Sequence, residues 1–386
     1  MIPAGREQAA AARSSMNGLM LAFAFTLPYH VMRTAAAAGI RIHVLGAGSA
    51  RGLKTSRCCR AYHETHYAGD PDALLAEIDA LVRRYAIDIV FPADDVATRL
   101  LSALRDELPV RSMALPDLAT FDLLNDKWNF TRFCLANGIR APQGWLFDSV
   151  GDLRAALECD KAALPITVKP TNRSGGVGVI HIRNPNERAL IDRIDYRPIL
   201  VQRHIVGETI GISVLCDHGQ VVAHAVQRRD ALRFELFSNA DLLDNVARLA
   251  ALTGYHGPAN FDAVTADADG LSYVVECNPR FWYTVYLSMI AGINFVERAL
   301  AAPTGPAYPA TIERAEFRLS LRRILSRPWR ANAREWRYLG YCLSDPIPFA
   351  LQRTRSYDDD DVAAPVDATA AGDRAPPPVA SRLALG

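Results

Sequence analysis

The chain has 386 residues, 50% hydrophobic and 22% charged, which suits roughly two to three globular domains and excludes a largely disordered protein. Lys plus Arg is 43 against 42 for Asp plus Glu, so no net field recruits nucleic acid or an anionic membrane. The seven cysteines (Cys58, Cys59, Cys134, Cys159, Cys216, Cys277 and Cys342) are odd in number and lack CxxC spacing, so they imply a reduced, cytoplasmic protein without a disulfide framework or zinc-finger site.

Residues 1–17 read as a disordered leader. Leu19–Leu27 is too short to span a bilayer, and with Arg13 and the alanines at 35–38 it only loosely imitates a signal peptide. Leu19–Thr26 reads instead as a buried strand, followed by a helix over 28–38 and a strand over Ile40–Leu45. The glycines of 46–52 fit neither a P-loop nor a dinucleotide fingerprint. Leu53 separates Gly52 from Lys54 and the third fingerprint glycine is missing, so the expectation is a surface loop. A helix at 71–85, a strand at Ile87–Phe91 and a helix near 95–105 complete a parallel α/β unit over 18–115.

A helix over 123–137 buries Leu124, Phe130, Phe133 and Cys134, and Ser149 with Asp152 resembles a capping box on the next helix. The texture then changes to strands at 166–169, 179–183, 199–204, 210–216 and 220–227. A helix at 240–253 stops at Gly254, and strands 259–266 and 271–277 flank Asp269-Gly270. Residues 306–354 read as a helical segment, and 355–386, with the run Asp358–Asp361, as a disordered tail.

Three patterns carry chemistry. Val168-Lys169-Pro170 closes a strand ahead of the loop Arg173-Ser174-Gly175-Gly176-Val177-Gly178, whose glycines let backbone N–H groups approach phosphate oxygens beside the lysine charge. A three-residue loop 268–270 puts Asp262 opposite Glu276, with Asn278 and Arg280 on the same face. Two opposed carboxylates call for a cation, and their oxygens suit Mg²⁺. Between these lies Val201-Gln202-Arg203-His204-Ile205-Val206-Gly207-Glu208, an apolar strand with a polar end that could offer its backbone to an adenine edge. Arginine supplies 39 of the 43 basic residues, leaving only Lys54, Lys127, Lys161 and Lys169 as positions where a compact ammonium is kept.

In this order the patterns resemble the ATP-grasp superfamily from about 18 to 300, most closely its carboxylate–amine ligases and the large subunit of carbamoyl phosphate synthetase. The shared elements are Asn125-Asp126-Lys127, Val168-Lys169-Pro170, the loop 173–178, the hinge 201–208, Asn260-Phe261-Asp262 and Glu276-Cys277-Asn278-Pro279-Arg280. The resemblance implies an α/β and α+β chain: a doubly wound parallel domain at 18–115, then a two-lobed ATP-grasp fold at 116–305 with a lid hairpin at about 165–200. It implies ATP binding by Lys127, Lys169, Ser174, Gly175, Gly176, Gln202, Arg203, His204, Ile205 and Glu208. It also implies Mg²⁺, with Mn²⁺ as a substitute, on Asp262, Glu276 and Asn278. Arg280 and Lys169 become the catalytic cations. Gln202 stands where the family usually has Glu, and Glu208 sits earlier than the usual ribose acid.

The expected activity is ADP-forming ligation of a carboxylate to an amine through an acyl phosphate. The substrates would be small molecules or a peptide- or carrier-linked acceptor, with Arg228, Arg229, Trp282 and Tyr286 bordering the acceptor. A homodimer is the candidate assembly; neither nucleic acid nor a membrane span is expected. Carboxylate–thiol ligation, carbamoyl-phosphate-type kinase chemistry and a non-catalytic Mg-ATP module stay open beside it.

Overall fold

A computed structural model describes residues 16–354 apart from 160–161, 174, 231–232 and 302–309. Most of the expected leader, Ser174 and the expected tail therefore lie outside the described residues. Asn17, counted in the leader, instead opens the first strand.

The chain begins as βα units: β1 (Asn17–Ala22), α1 (Thr26–Ala37), β2 (Arg41–Gly46), β3 (Cys59–Glu64), α2 (Pro71–Tyr85), β4 (Ile89–Pro92) and α3 (Asp95–Leu104). The four strands are parallel in the order β3-β2-β1-β4. β1 stops at Ala22, short of the expected Thr26, because Asp94 captures the loop: its Oδ2 accepts from the N–H groups of Phe23 (2.6 Å) and Ala24 (2.9 Å) while Oδ1 caps α3 at Ala97. The expected surface loop after β2 is a 3₁₀ segment, Gly48–Thr55, that buries Ala50 and Leu53. β3 is absent from the predicted elements because it is a half-exposed edge strand whose residues show no apolar run.

The helix expected over 123–137 is two helices, α4 (Leu118–Asn125) and α5 (Lys127–Ala136). Asp126 breaks them by adopting extended backbone and accepting from the N–H groups of Trp128 and Asn129. Next come β5 (Gly144–Phe147), α6 (Val150–Glu158), β6 (Ile166–Pro170), β7 (Ile180–Ile182) and β8 (Ile199–Arg203), an antiparallel sheet ordered β5-β8-β6-β7. The long strands follow: β9 (Gly207–Asp217), β10 (Gln220–Asp230), β11 (Arg233–Phe237), α7 (Ala240–Thr253), β12 (Gly257–Ala266) and β13 (Ser272–Asn278).

The chain continues through α8 (Val285–Ala291), α9 (Phe295–Leu300), β14 (Ala310–Thr311), β15 (Arg314–Arg318), α10 (Leu321–Ser326), α11 (Ala333–Ser344) and α12 (Pro346–Thr354). The large sheet runs β13-β12-β9-β10-β11-β15, with β14 against β10. The segment expected to be helical thus begins as strand: Ala315 and Phe317 point inward while Arg314 is exposed, a period of two rather than 3.6. Among the described residues no helix is long and apolar enough to cross a membrane.

The C-terminal helices share a core with the first sheet. His30 of α1 is buried, bonds Tyr341 Oη through Nδ1 at 2.8 Å and stacks on Tyr286 at 4.3 Å. Arg33 lies over the Tyr341 ring at 3.5 Å. Burial first, then the Arg33 charge, pushes the His30 imidazole down to about 3, so it folds neutral. Its folded value is depressed below the unfolded 6.5, so its stabilising share is complete above that pH and is lost as pH falls below it. Wild type is expected to lose about 2 kcal/mol more than His30→Gln as pH drops from about 7 to about 5, read by urea denaturation. Parallel losses in both proteins would contradict the assignment.

Candidate active site

The site is built on the β12–β13 hairpin. The turn is one residue longer than expected: Ala266 and Leu271 close it (2.9 Å), leaving four residues, 267–270. Val275 then bulges, because Ala263 faces Val274 while Asp262 faces Glu276. The two offsets cancel, so Asp262 and Glu276 oppose each other as the sequence predicts. The bulge also sets direction. Val274 and Cys277 both enter the core, and Glu276 and Asn278 turn to the other side with Asp262.

Two lysines reach this pair from different elements. Lys169, on β6 and only 3% exposed, donates to the carbonyl of the bulged Val275 at 3.3 Å and stands 4.0 Å from Glu276 Oε2. Lys127, the first residue of α5, lies 3.5 Å from the same oxygen and donates to the Arg173 carbonyl at 2.6 Å. Its backbone N–H donates to the Thr171 carbonyl at 3.1 Å, tying α5 to the glycine loop. Burial draws the Lys169 ammonium down to about 8, with Glu276 opposing and Lys127 reinforcing the shift. Burial and the Glu276 charge push Asp262 up to about 7, whereas for Glu276 the two lysines outweigh burial and hold it low.

A polar chain orients Asp262. Thr284 Oγ1 donates to Gln227 Oε1 (2.7 Å), Gln227 Nε2 to Asn260 Oδ1 (3.1 Å), and Asn260 Nδ2 to Asp262 Oδ1 (3.2 Å). Arg280 is 5% exposed and pairs through Nε with Asp95 Oδ1 at 2.6 Å, across from the first sheet. Its Nη2 donates to Asn278 Oδ1 at 3.3 Å. Gln227, Asn260, Asp262, Glu276, Asn278, Arg280 and Thr284 line a cleft of about 510 Å³ together with Gly175 and Gly176, both at positive φ.

Other predicted residues are distributed unevenly. Arg229 and Trp282 line the cleft. Arg228 does not: it is clamped by Glu235 (2.9 Å) and by Glu208 (2.9 Å), so Glu208 is also engaged on the sheet. Tyr286 is interior, stacked between His30 and Tyr341. Gln202 is buried and donates to Thr131 Oγ1 at 2.9 Å, turned toward α5. His204 bonds Thr167 Oγ1 at 2.9 Å, while Arg203 is exposed and Ile205 half-buried along the same segment. Sequence reasoning missed Gln227, Tyr283 and Thr284, which line the cleft, and Asp95, which pairs with Arg280. Their one signal was weak: Tyr283 and Thr284 directly follow the Arg280 motif, while Asp95 and Gln227 lie remote from it in the chain.

Comparison with known proteins then gives the fold its name. Residues 195–322 match a family described as "ATP-grasp in the biosynthetic pathway with Ter operon", a stretch that holds Asp262, Glu276, Asn278 and Arg280. The chain has an ATP-grasp fold. It superposes on the L-amino acid ligase from Bacillus licheniformis with a TM-score of 0.59 at 18% identity, over 74% of this chain and 73% of that one. N5-carboxyaminoimidazole synthetase from Staphylococcus aureus, complexed with ADP, gives 0.60 at 14% identity over 78% and 81%. Biotin carboxylase from Campylobacter jejuni gives 0.56 at 17% identity over 74% and 72%. The parallel α/β sheet followed by an antiparallel sheet and a large, mainly antiparallel one is the arrangement expected from the sequence.

In this ATP-grasp fold the chain leaves the smaller antiparallel sheet after β8 and enters the large sheet at Gly207, where β9 begins opposite Ala266 of β12. A β-carbon there would stand 2.0 Å from the Thr265 carbonyl oxygen. Gly207→Ala is expected to cost about 1–3 kcal/mol by forcing β9 from β12. An unchanged urea midpoint would show that the close approach is not required.

Proposed function

We propose that the protein is an ATP-dependent, ADP-forming carboxylate–amine ligase that works through an acyl phosphate. The observation that carries the reading is the convergence of Lys127 and Lys169 on the opposed Asp262–Glu276 pair, facing a glycine loop across the cleft. That pattern of charge suits a polyphosphate and its metal. The structural likeness to an L-amino acid ligase supports the amide-forming version.

The donor set fits Mg²⁺. Asp262, Glu276 and Asn278 offer only oxygens, and Asp262 is raised toward neutral pH by burial beside Glu276, a strain that a cation relieves. These three would hold the ion, which when bound offsets negative charge on the phosphates. Lys127 and Lys169 neutralise the remaining phosphate charge, and the N–H groups around Gly175 and Gly176 approach the phosphate oxygens. Ser174 belongs to the same proposed set. Arg203, His204, Ile205 and Glu208 border the adenine and ribose, with Gln202 supporting that strand from behind.

Arg280, held by Asp95, balances charge on the phosphoryl group in transfer. The substrate carboxylate attacks the γ-phosphorus and ADP leaves. An amine then attacks the acyl carbon and inorganic phosphate leaves. Arg229 suits the substrate carboxylate, and the buried Trp282 Nε1, which has no hydrogen-bond partner among the described residues, offers it a donor. Closure of the loop after β6 excludes water from the acyl phosphate. Residues 18–115 and the lid at 165–200 are the proposed outer walls of this cleft.

Incubation with Mg-ATP, a pool of carboxylic and amino acids and hydroxylamine tests the reading by mass spectrometry. ADP with a hydroxamate is expected, and Glu276→Ala is expected to lower that turnover at least about 100-fold while keeping its fold. AMP in place of ADP, or wild-type turnover in a folded Glu276→Ala protein, would overturn it.

A further inference from the structure

A second cluster of ligating side chains lies away from the cleft. Asp217 ends β9, His218 follows it in the turn to β10, and His256 immediately precedes β12. β9 and β12 are paired there, Cys216 opposite Gly257, so the turn and the strand start meet at one corner of the large sheet. Nδ1 of His256 is 3.2 Å from Asp217 Oδ1, and Nε2 of His218 is 3.9 Å from the same oxygen. The three ligand atoms all fall within 4.8 Å of one another. The two imidazoles stack at 4.1 Å with an interplanar angle of 11°.

The turn itself does not require this. His218 has φ 44, a left-handed conformation that glycine or asparagine adopts more readily. Histidine at that position sets an imidazole over His256. The His218 N–H donates weakly to His256 Nδ1 at 3.4 Å.

We propose that Asp217, His218 and His256 bind a transition-metal ion of the Zn²⁺ class, with the remaining position open to water. Tetrahedral ligands at about 2.0–2.2 Å from zinc lie about 3.3–3.6 Å apart, close to the 3.2 and 3.9 Å that separate the two histidine nitrogens from Asp217 Oδ1, and the stacked rings must turn out of their parallel planes for both lone pairs to converge on the ion. Two imidazoles and a carboxylate suit Zn²⁺, whereas the all-oxygen set of the cleft suits Mg²⁺, so the two sites select different ions. His218 is 79% exposed, which gives the ion a way in. A bound ion ties the β9–β10 turn to the start of β12, the strand that carries Asp262.

The test is calorimetric titration of the full-length, untagged protein with Zn²⁺ in excess Mg²⁺, with Co²⁺ as a spectroscopic probe of the same site. One equivalent is expected to bind, with a Co²⁺ visible spectrum of nitrogen and oxygen ligation and a thermal transition that rises with Zn²⁺. His218→Ala, which removes an exposed ring, and Asp217→Asn are each expected to weaken binding by about 10-fold or more, with the metal-free transition of His218→Ala unchanged. Absence of Zn²⁺ binding, or binding of equal affinity in wild type and both variants, would overturn the proposal.

Discussion

Everything at the cleft follows from two carboxylates set opposite each other on a sheet. Asp262 and Glu276 stand in register on β12 and β13 with a hydrophobic core behind them. Like charges so placed repel, and burial raises the cost of ionising both. Two lysines relieve one member of the pair: Glu276 stays low beneath Lys127 and Lys169, while Asp262 rises.

Three separate pieces of chain are committed to that pair. The hairpin supplies the acids, β6 supplies Lys169, and the helix break at Asp126 puts Lys127 at the head of α5. The Val275 bulge does two things at once. It turns Glu276 and Asn278 toward the cleft and presents a carbonyl to the Lys169 ammonium. Because Lys127 also holds the Thr171 and Arg173 carbonyls, by its N–H and its ammonium respectively, the glycine loop, the lysines and the acids are mechanically linked.

Much of this was legible because the relevant signals are local. Apolar alternation and the Asp269-Gly270 turn set Asp262 opposite Glu276, and the glycine loop after its strand marks Lys169; Lys127 entered through the family resemblance, which the scarcity of lysine only reinforced. The register was reached by two compensating offsets, a longer turn and a bulge, neither of which hydrophobic pattern alone resolves. Contacts between distant segments were not legible. Nothing near Arg280 in the chain announces Asp95 as its partner, and nothing near Tyr286 announces burial against His30. Arg228 and Arg229 look alike in sequence, yet neighbouring strand positions point to opposite faces, so one is clamped by Glu235 and the other lines the cleft.

The central claim is that the Asp262–Glu276 pair, under its two lysines, is a metal–polyphosphate site. The direct measurement is calorimetric titration with a non-hydrolysable ATP analogue, with and without Mg²⁺. The account predicts that Mg²⁺ strengthens binding by about 10-fold or more in wild type and that Asp262→Ala abolishes this dependence. Binding of equal strength with and without the metal would contradict it.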